Sequence, residues 1–391
     1  MRKIILLTSG ILCSTFLFAQ NIQQVLESVE SNNLALKSAY QFKEADIRAE
    51  RTTNNLSNPD AEASYQWSKP GELGNKQTFT ATQTFDFPST YYYRNKTIGH
   101  RIAQREAEYN QQRLQILLEA RNLCIELIYL NQLYKEFTLR EEQASLLYTS
   151  IKRQYDLGAV NQLDLNKARL NQINASAEKS KIDAERNGKQ ILLNQLNGGI
   201  PVSISEEDFP TPEVPADFAQ WYQTSIGVNP YISAADQQVQ AALRNLHTSK
   251  SNGLPKIKLG YTMEHLADEL FQGAVFGISI PLWENRNQVK QAKARKFASE
   301  YQMNDITTSQ RSYYADLYQQ LVQQQANCQL YRETLHAMSD EKLLLKAYQK
   351  GELSLLEYLM ELTYYYDTKT KALELYRDFN LTYNAFNKLY F

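Results

Sequence analysis

The side chains best suited to bind a metal or attack a substrate are four histidines, His100, His247, His265 and His336, and, apart from Cys13 near the N-terminus, the cysteines Cys124 and Cys328. Zinc sites place such ligands in closely spaced pairs, whereas these histidines are scattered and the cysteines stand far apart in the chain. There is no phosphate-cradling glycine loop and no nucleophile elbow. The residue types therefore call for no catalytic centre, metal or cofactor. What does recur is a glycine followed six residues later by a carboxylate: Gly158 with Asp164, and Gly351 with Glu357. A glycine ends a helix cheaply because it adopts the left-handed conformation. An acid in the first turn of the next helix is favoured by the helix dipole. Two readings of Asp164 and Glu357 stay open at this point: partners of a dipole, or a ring of carboxylates that gates a passage or selects cations.

The elements that position these residues form a repeat. Asn33-Leu34 recurs as Asn229-Pro230 and Asn58-Pro59 as Leu254-Pro255, both 196 residues later. Phe87-Pro88 recurs as Ile280-Pro281 and Tyr155-x-x-Gly158 as Tyr348-x-x-Gly351, both 193 later. The change in offset falls where a hairpin loop is expected, and loops tolerate length changes. Each half reads as helix, strand pair, very long helix, glycine break, helix. The first repeat covers 20–197 and the second 217–391. Between them, 198–216 holds Pro201, Pro210, Pro212 and Pro215, which exclude continuous helix.

From Tyr91 to Leu157 there is no proline. Leu123, Leu127, Leu130, Tyr134, Phe137, Glu141, Ala144, Tyr148, Ile151 and Tyr155 fall on one seam at steps of four and three. The later seam is Leu317, Leu321, Gln324, Cys328, Tyr331, Leu335, Met338, Lys342, Leu345 and Gln349. Such spacing means helices packed along their length as in coiled coils. Some 67 residues at 1.5 Å each give a helix of roughly 100 Å. If the two tip glycines are level, Cys124 and Cys328 differ in height by about 16 Å, too far for a disulfide, so both read as buried thiols.

The strand pairs, 59–88 and 255–281, alternate with period two. Phe79, Ala81, Phe85 and Phe87 alternate with threonines and Asp86; Ile257, Leu259, Tyr261 and Met263 alternate with Lys256, Lys258, Thr262 and Glu264; Ala274, Phe276, Ile278 and Ile280 share a face. Runs of this length suit a tilted strand crossing a bilayer with Phe79, Phe85, Ile257, Leu259, Phe276 and Ile278 toward lipid.

Residues 1–19 read as a cleavable secretory signal, with Arg2 and Lys3 ahead of an apolar run and a cleavage point after Ala19. Cys13 follows Gly10-Ile11-Leu12 and lacks the small preceding residue a lipidation site wants. Removing Arg2 and Lys3 moves the net charge from −1 to −3, which offers no electrostatic case for nucleic acid. No later segment is a spanning helix, so any membrane entry must use strands. Four strands cannot close a barrel, because the smallest known have eight. Two copies would supply eight and three copies twelve; only the larger number leaves a channel.

Tyr155-Asp-Leu-Gly158-Ala-Val-Asn-Gln-Leu-Asp164-Leu-Asn-Lys-Ala168 resembles the helical-tip motif of TolC-like outer-membrane efflux proteins. Tyr348-Gln-Lys-Gly351-Glu-Leu-Ser-Leu-Leu-Glu357-Tyr-Leu resembles its second copy, and Ile280-Pro281-Leu282-Trp283-Glu-Asn-Arg286 the strand-exit motif. The resemblance implies a mainly α chain with a small β part, in which a long coiled-coil α-helical barrel continues into a transmembrane β-barrel. It implies four strands per chain, twelve in a homotrimer, with 198–216 as an equatorial connector. It further implies an outer-membrane exit duct, passive rather than enzymatic, for drugs, metal ions or other small molecules. The implied partners are a periplasmic adaptor, an inner-membrane pump and outer-membrane lipid. The family's periplasmic gate corresponds to Asp164, Tyr348 and Glu357, and its tip, where the adaptor docks, to Gly158, Ala159, Gly351 and Leu353. At Leu353 the chain departs from the family's best-studied member, which has a latch arginine there. An outlet for type I protein secretion and a soluble periplasmic coiled-coil scaffold are the alternatives.

Overall fold

The computed structural model describes residues 21–69, 74–337 and 341–391. The signal peptide read over 1–19, Cys13 within it, part of the first hairpin turn and Met338 of the second seam lie outside the described residues. The first half contains α1 (Ile22–Asn32), α2 (Leu34–Thr52), β1 (Asp60–Gln66), β2 (Lys76–Phe85), α3 (Pro88–Asp156) and α4 (Gln162–Leu196). The second contains α5 (Phe218–Ser225), α6 (Pro230–Ser251), β3 (Lys256–Leu266), β4 (Glu269–Ser279), α7 (Gln288–Ala337), α8 (Glu341–Gln349) and α9 (Leu355–Asn387). No described helix is long and apolar enough to cross a membrane.

The chain forms two compact units, each drawing on both halves. One comprises the described residues up to Lys37 together with 114–216 and 316–391. Its core follows the α3 seam. Leu117, Ala120, Leu123, Cys124, Leu127 and Ile128 pack against Ile22, Val25, Leu26 and Val29 of α1, Leu193 of α4 and Val202 of the connector. Farther along α3, Tyr129, Leu130 and Leu133 meet Ile182 of α4. Cys124 and Cys328 are buried free thiols, as expected, and burial pushes the Cys124 thiol up to about 12. Leu317, Leu321 and Cys328 of the later seam are buried too. Its last members are a correction. Lys342 and Leu345 are exposed, and Leu344 and Tyr348 make the packing contacts of α8 instead. Charge pairs reinforce the seams with one polarity: α3 supplies Glu126, Glu136 and Glu141, and the returning helices supply Lys189, Lys369 and Lys179. Each such half-exposed pair contributes little alone, but a shared polarity favours α3 against the returning helices over α3 against a copy of itself.

Two asparagines that begin the landmark pairs act as helix caps. Asn33 accepts from the Leu36 amide at 2.8 Å, starting α2, and its side-chain amide donates to Leu196 O at 2.8 Å. Asn229 accepts from the Tyr231 amide at 2.9 Å, starting α6, where Pro230 occupies a first-turn position that needs no N–H. In the first unit the fully buried Asn197 closes α4. It accepts from Ser28 Oγ at 2.9 Å and donates to Ile200 O at 2.9 Å.

The second unit comprises 38–113 and 217–315 and contains the whole sheet. The strand order is β1-β2-β3-β4, with every neighbouring pair antiparallel. The central β2–β3 ladder joins the hairpins of the two halves, and β1 and β4 are the edges. The second hairpin turn is tight: His265 and Leu266 stay in the ladder, and only Ala267 and Asp268 turn, with Ala267 at φ 55°. The strands also stop short of Trp67, Phe87 and Ile280, which lie just beyond them.

Candidate functional site

The two tip turns are built alike, residue for residue. Gly158 and Gly351 have φ of 75° and 78°. At each, the glycine amide donates to the carbonyl three residues back, and the next amide reaches five back. The bonds are Gly158 N to Tyr155 O and Ala159 N to Gln154 O, both 2.9 Å, and Gly351 N to Tyr348 O and Glu352 N to Ala347 O, both 3.0 Å. This pattern satisfies the terminal carbonyls of a helix and requires the left-handed residue. Three residues on, a polar side chain caps the next helix. Asn161 Oδ1 accepts from the Asp164 amide at 2.9 Å, and Ser354 Oγ accepts from the Glu357 amide at 3.3 Å.

The three gate residues named from the sequence differ in what they do. Asp164 is half-buried and lies 3.3 Å from Lys167 Nζ. Tyr348 stacks on Tyr358 with ring centroids 5.1 Å apart. Burial pushes the Tyr348 hydroxyl above its ordinary value, and the Asp164 carboxylate pushes it in the same direction. Tyr348 packs against the cluster of Ile151, Ala168, Leu355, Tyr358 and Leu362 that ties the tips together, with Asp164 near enough to act on its hydroxyl. Glu357 instead turns back on its own helix and accepts from the Ser354 amide at 2.8 Å, completing a capping box. Ala159 is exposed and Leu353 half-buried at the turns.

The capping box has a pH signature. Hydrogen bonds from Ser354 hold the Glu357 carboxyl below its ordinary value. A carboxyl depressed on folding contributes above its unfolded pKa, about 4.3, and that contribution is lost as pH falls through the folded value. Acidification below about pH 4 is therefore expected to lower the protection of the amides at the start of α9, measured as exchange relative to the intrinsic rate at each pH. Glu357→Gln, which preserves the box while removing the charge, should abolish that pH dependence. An exchange profile identical in both proteins would exclude the carboxylate as its source.

The sheet separates the residues more sharply still. Cross-strand partners share a face, and the register aligns Phe85, Ile257 and Ile278, then Gln83, Leu259 and Phe276, then Ala61, Ala81, Tyr261 and Ala274. Ala63, Phe79, Met263 and Gln272 follow, then Tyr65, Gln77, His265 and Leu270. All six residues expected toward lipid, Phe79, Phe85, Ile257, Leu259, Phe276 and Ile278, thus lie on one face. Phe276 and Ile278 are 69% and 58% exposed there, with no protein covering them in the chain. The opposite face carries Thr78, Thr80, Thr82, Thr84 and Thr262, charged groups, and Gly260, Gly273 and Gly277.

Comparison with known proteins adds the last element. No family model matches the chain, and no curated protein matches it. Solved structures, however, superpose over nearly its whole length. CusC, studied for the conformational changes that accompany folding and transmembrane channel formation, gives a TM-score of 0.78 at 16% identity, covering 96% of this chain and 93% of its own. The CmeC outer membrane channel of Campylobacter jejuni gives 0.75 at 15% identity, covering 95% and 85%. The fold is that of the TolC-like outer-membrane channels. The open-state MtrE outer membrane channel of Neisseria gonorrhoeae, at TM-score 0.70 and 15% identity over 94% and 88%, shares it.

Within the TolC-like fold, the aromatic residues after the strands divide by role. Tyr91 turns its hydroxyl inward, where it accepts from the Asp86 amide at 3.0 Å. Tyr93 packs on His247 at 5.1 Å between centroids. Tyr92 and Trp283 are the exposed members, at 59% and 79%. The caps Asn161 and Ser354 escaped the sequence reading, although Ser354-x-x-Glu357 is a legible capping-box pattern. Gly260, where an added Cβ would fall 2.3 Å from Ala81 O, left no trace of that tight approach in the sequence beyond the glycine itself.

Proposed function

We propose that this chain is the outer-membrane duct subunit of a tripartite efflux pump, a passive exit for small molecules or metal ions whose energy is supplied by an inner-membrane partner. The observation that carries this reading is the sheet: one apolar face, one polar face and two open edges. An open edge in lipid leaves backbone groups unpaired at several kcal/mol each, so β4 of one copy pairs with β1 of the next. Three copies close twelve strands around a water-filled lumen. Ten to eleven residues per strand in β2, β3 and β4, at about 3.4 Å each and tilted about 40°, give a band of roughly 27 Å, matching the apolar height of outer-membrane barrels. Tyr65 and Trp67 at the hairpin end and Tyr92 and Trp283 at the helix end are the interfacial aromatics of that band.

In this reading Phe79, Phe85, Ile257, Leu259, Phe276 and Ile278 face lipid in the outer membrane, and the helical part is periplasmic. Gly158, Ala159, Gly351 and Leu353 form the tips that meet a periplasmic adaptor. Asp164 and Tyr348 narrow the periplasmic end, with Glu357 beside them, and the hydrophobic Leu353 leaves closure to packing. The matching glycine, cap and acid of the two tips support 20–197 and 217–391 as two copies of one unit joined by 198–216.

The test is single-channel recording of the detergent-purified protein in a planar bilayer, with its oligomer mass measured alongside. A trimer passing small currents is expected, and Asp164→Ala with Glu357→Ala should raise the conductance or change the cation preference. A detergent-independent monomer without current would instead make the chain a periplasmic scaffold. Currents unaltered in the double variant would leave both acids as helix-start partners only.

A further inference from the structure

The polar face of the sheet carries its charges in separate rows. One row in from Lys256 and Ser279 at the helix end, Lys258 shares a row with Thr84 and Gly277. One row farther toward the hairpin turns, Asp60 aligns with Thr82, Gly260 and Val275, and one row beyond that Glu62 aligns with Thr80, Thr262 and Gly273. Other charges on this face neutralise one another or sit at its ends. Lys76 pairs with Glu264 at 2.9 Å, Lys256 reaches Glu284 at 3.2 Å, and Glu269 stands at the hairpin turn. Lys258, Asp60 and Glu62 are exposed and make no ion pair within the described residues. The stem of Lys258 lies over Gly277, where an added Cβ would sit 3.4 Å from the Lys258 Cβ. That glycine leaves the lysine room to run along the wall.

We propose that these rows form two collars of opposite charge in series, a basic one of Lys258 and an acidic one of Asp60 and Glu62, which together set the charge preference of the duct. The proposal rests on the polar face lining a water-filled barrel. Same-face rows lie two residues apart, so measured along the strands the acid rows stand about 7 and 14 Å beyond the lysine row, toward the hairpin turns. Asp60 and Glu62 are also two strands away from Lys258, about 10 Å sideways. Lys258 therefore stands at least about 12 Å from either acid, beyond the Debye length at 0.1 M salt, roughly 10 Å, and a permeating ion meets the two charges as separate fields. Each copy contributes two carboxylates against one ammonium, so the net filter favours cationic and zwitterionic solutes, with Lys258 moderating that preference.

The experiment is the reversal potential of single channels under a KCl gradient, for wild type, Lys258→Glu and the pair Asp60→Asn with Glu62→Gln. Wild type is expected to lean toward cations, Lys258→Glu to shift farther that way, and the acid-neutralised pair to shift toward anions. Should Lys258→Glu fail to assemble, Lys258→Gln removes the charge at little change in size and must give the smaller shift of the same sign. Persistent conductance with an unmoved reversal potential in both variants would overturn the collars while leaving the duct standing. Absence of any wild-type current would overturn the duct and the collars with it.

Discussion

Phe276→Arg is expected to leave little assembled barrel, whereas Ser279→Arg, three residues along the same strand but on the other face, should assemble normally. Phe276 stands one row from the middle of the sheet, beside Leu259 and Gln83, and is 69% exposed on the apolar face. An arginine against lipid costs about 2–4 kcal/mol at the bilayer midplane and falls toward zero at the interfaces. In a three-copy barrel that cost is met three times. Ile278 lies in the last row beside the helices, with Ile257 and Phe85, so Ile278→Arg should be milder than Phe276→Arg. Ser279 is the clean control because Thr80, also on the polar face, is hydrogen-bonded to Thr262 at 3.0 Å. Trimer yield from membranes, read by native mass and resistance to dissociation, ranks the three variants. Equal losses on the two faces would reverse the assignment of lipid and lumen.

That ranking is possible because the strand faces were legible in the sequence, and the reason is physical. A period of two admits no drift: one residue of slip moves every side chain to the opposite face, so alternation fixes orientation once a strand is recognised. Gly158 and Gly351 were legible for a similar reason, since a left-handed residue after a long helix has few alternatives to glycine. The helical seams were less secure. The step from Leu335 to Leu345 assumed unbroken heptads, but the packing of α8 runs through Leu344 and Tyr348, a phase that steps of three and four leave open. The candidate gate residues differ in a way that their types and spacing do not show. Asp164 and Glu357 occupy equivalent positions, yet one charges the surroundings of Tyr348 while the other closes a capping box with Ser354. The difference comes from the cap: the Ser354 box is reciprocal, whereas Asn161 receives only the Asp164 amide.

Gly260→Ala is expected to destabilise the sheet by about 1–3 kcal/mol or more, the range for forcing added atoms into a packed site, while Gly273→Ala should be nearly neutral. Both glycines lie on the polar face, so the two substitutions expose the same methyl to the same surroundings. They differ in what the methyl meets. At Gly260 a Cβ would fall 2.3 Å from Ala81 O and 2.6 Å from Thr82 Cγ2, whereas at Gly273 its nearest neighbour is Thr262 Cγ2 at 3.9 Å. The obstacle at Gly260 is a backbone carbonyl, which cannot turn aside without disturbing the β2–β3 ladder. That ladder joins the hairpin of the first half to that of the second. Its distortion should therefore lower the temperature at which the assembled barrel dissociates, and Gly260→Val should lower it further. A dissociation temperature equally unchanged in Gly260→Ala and Gly273→Ala would mean that β2 and β3 separate enough to admit a side chain, and that the join between the halves is looser than its geometry.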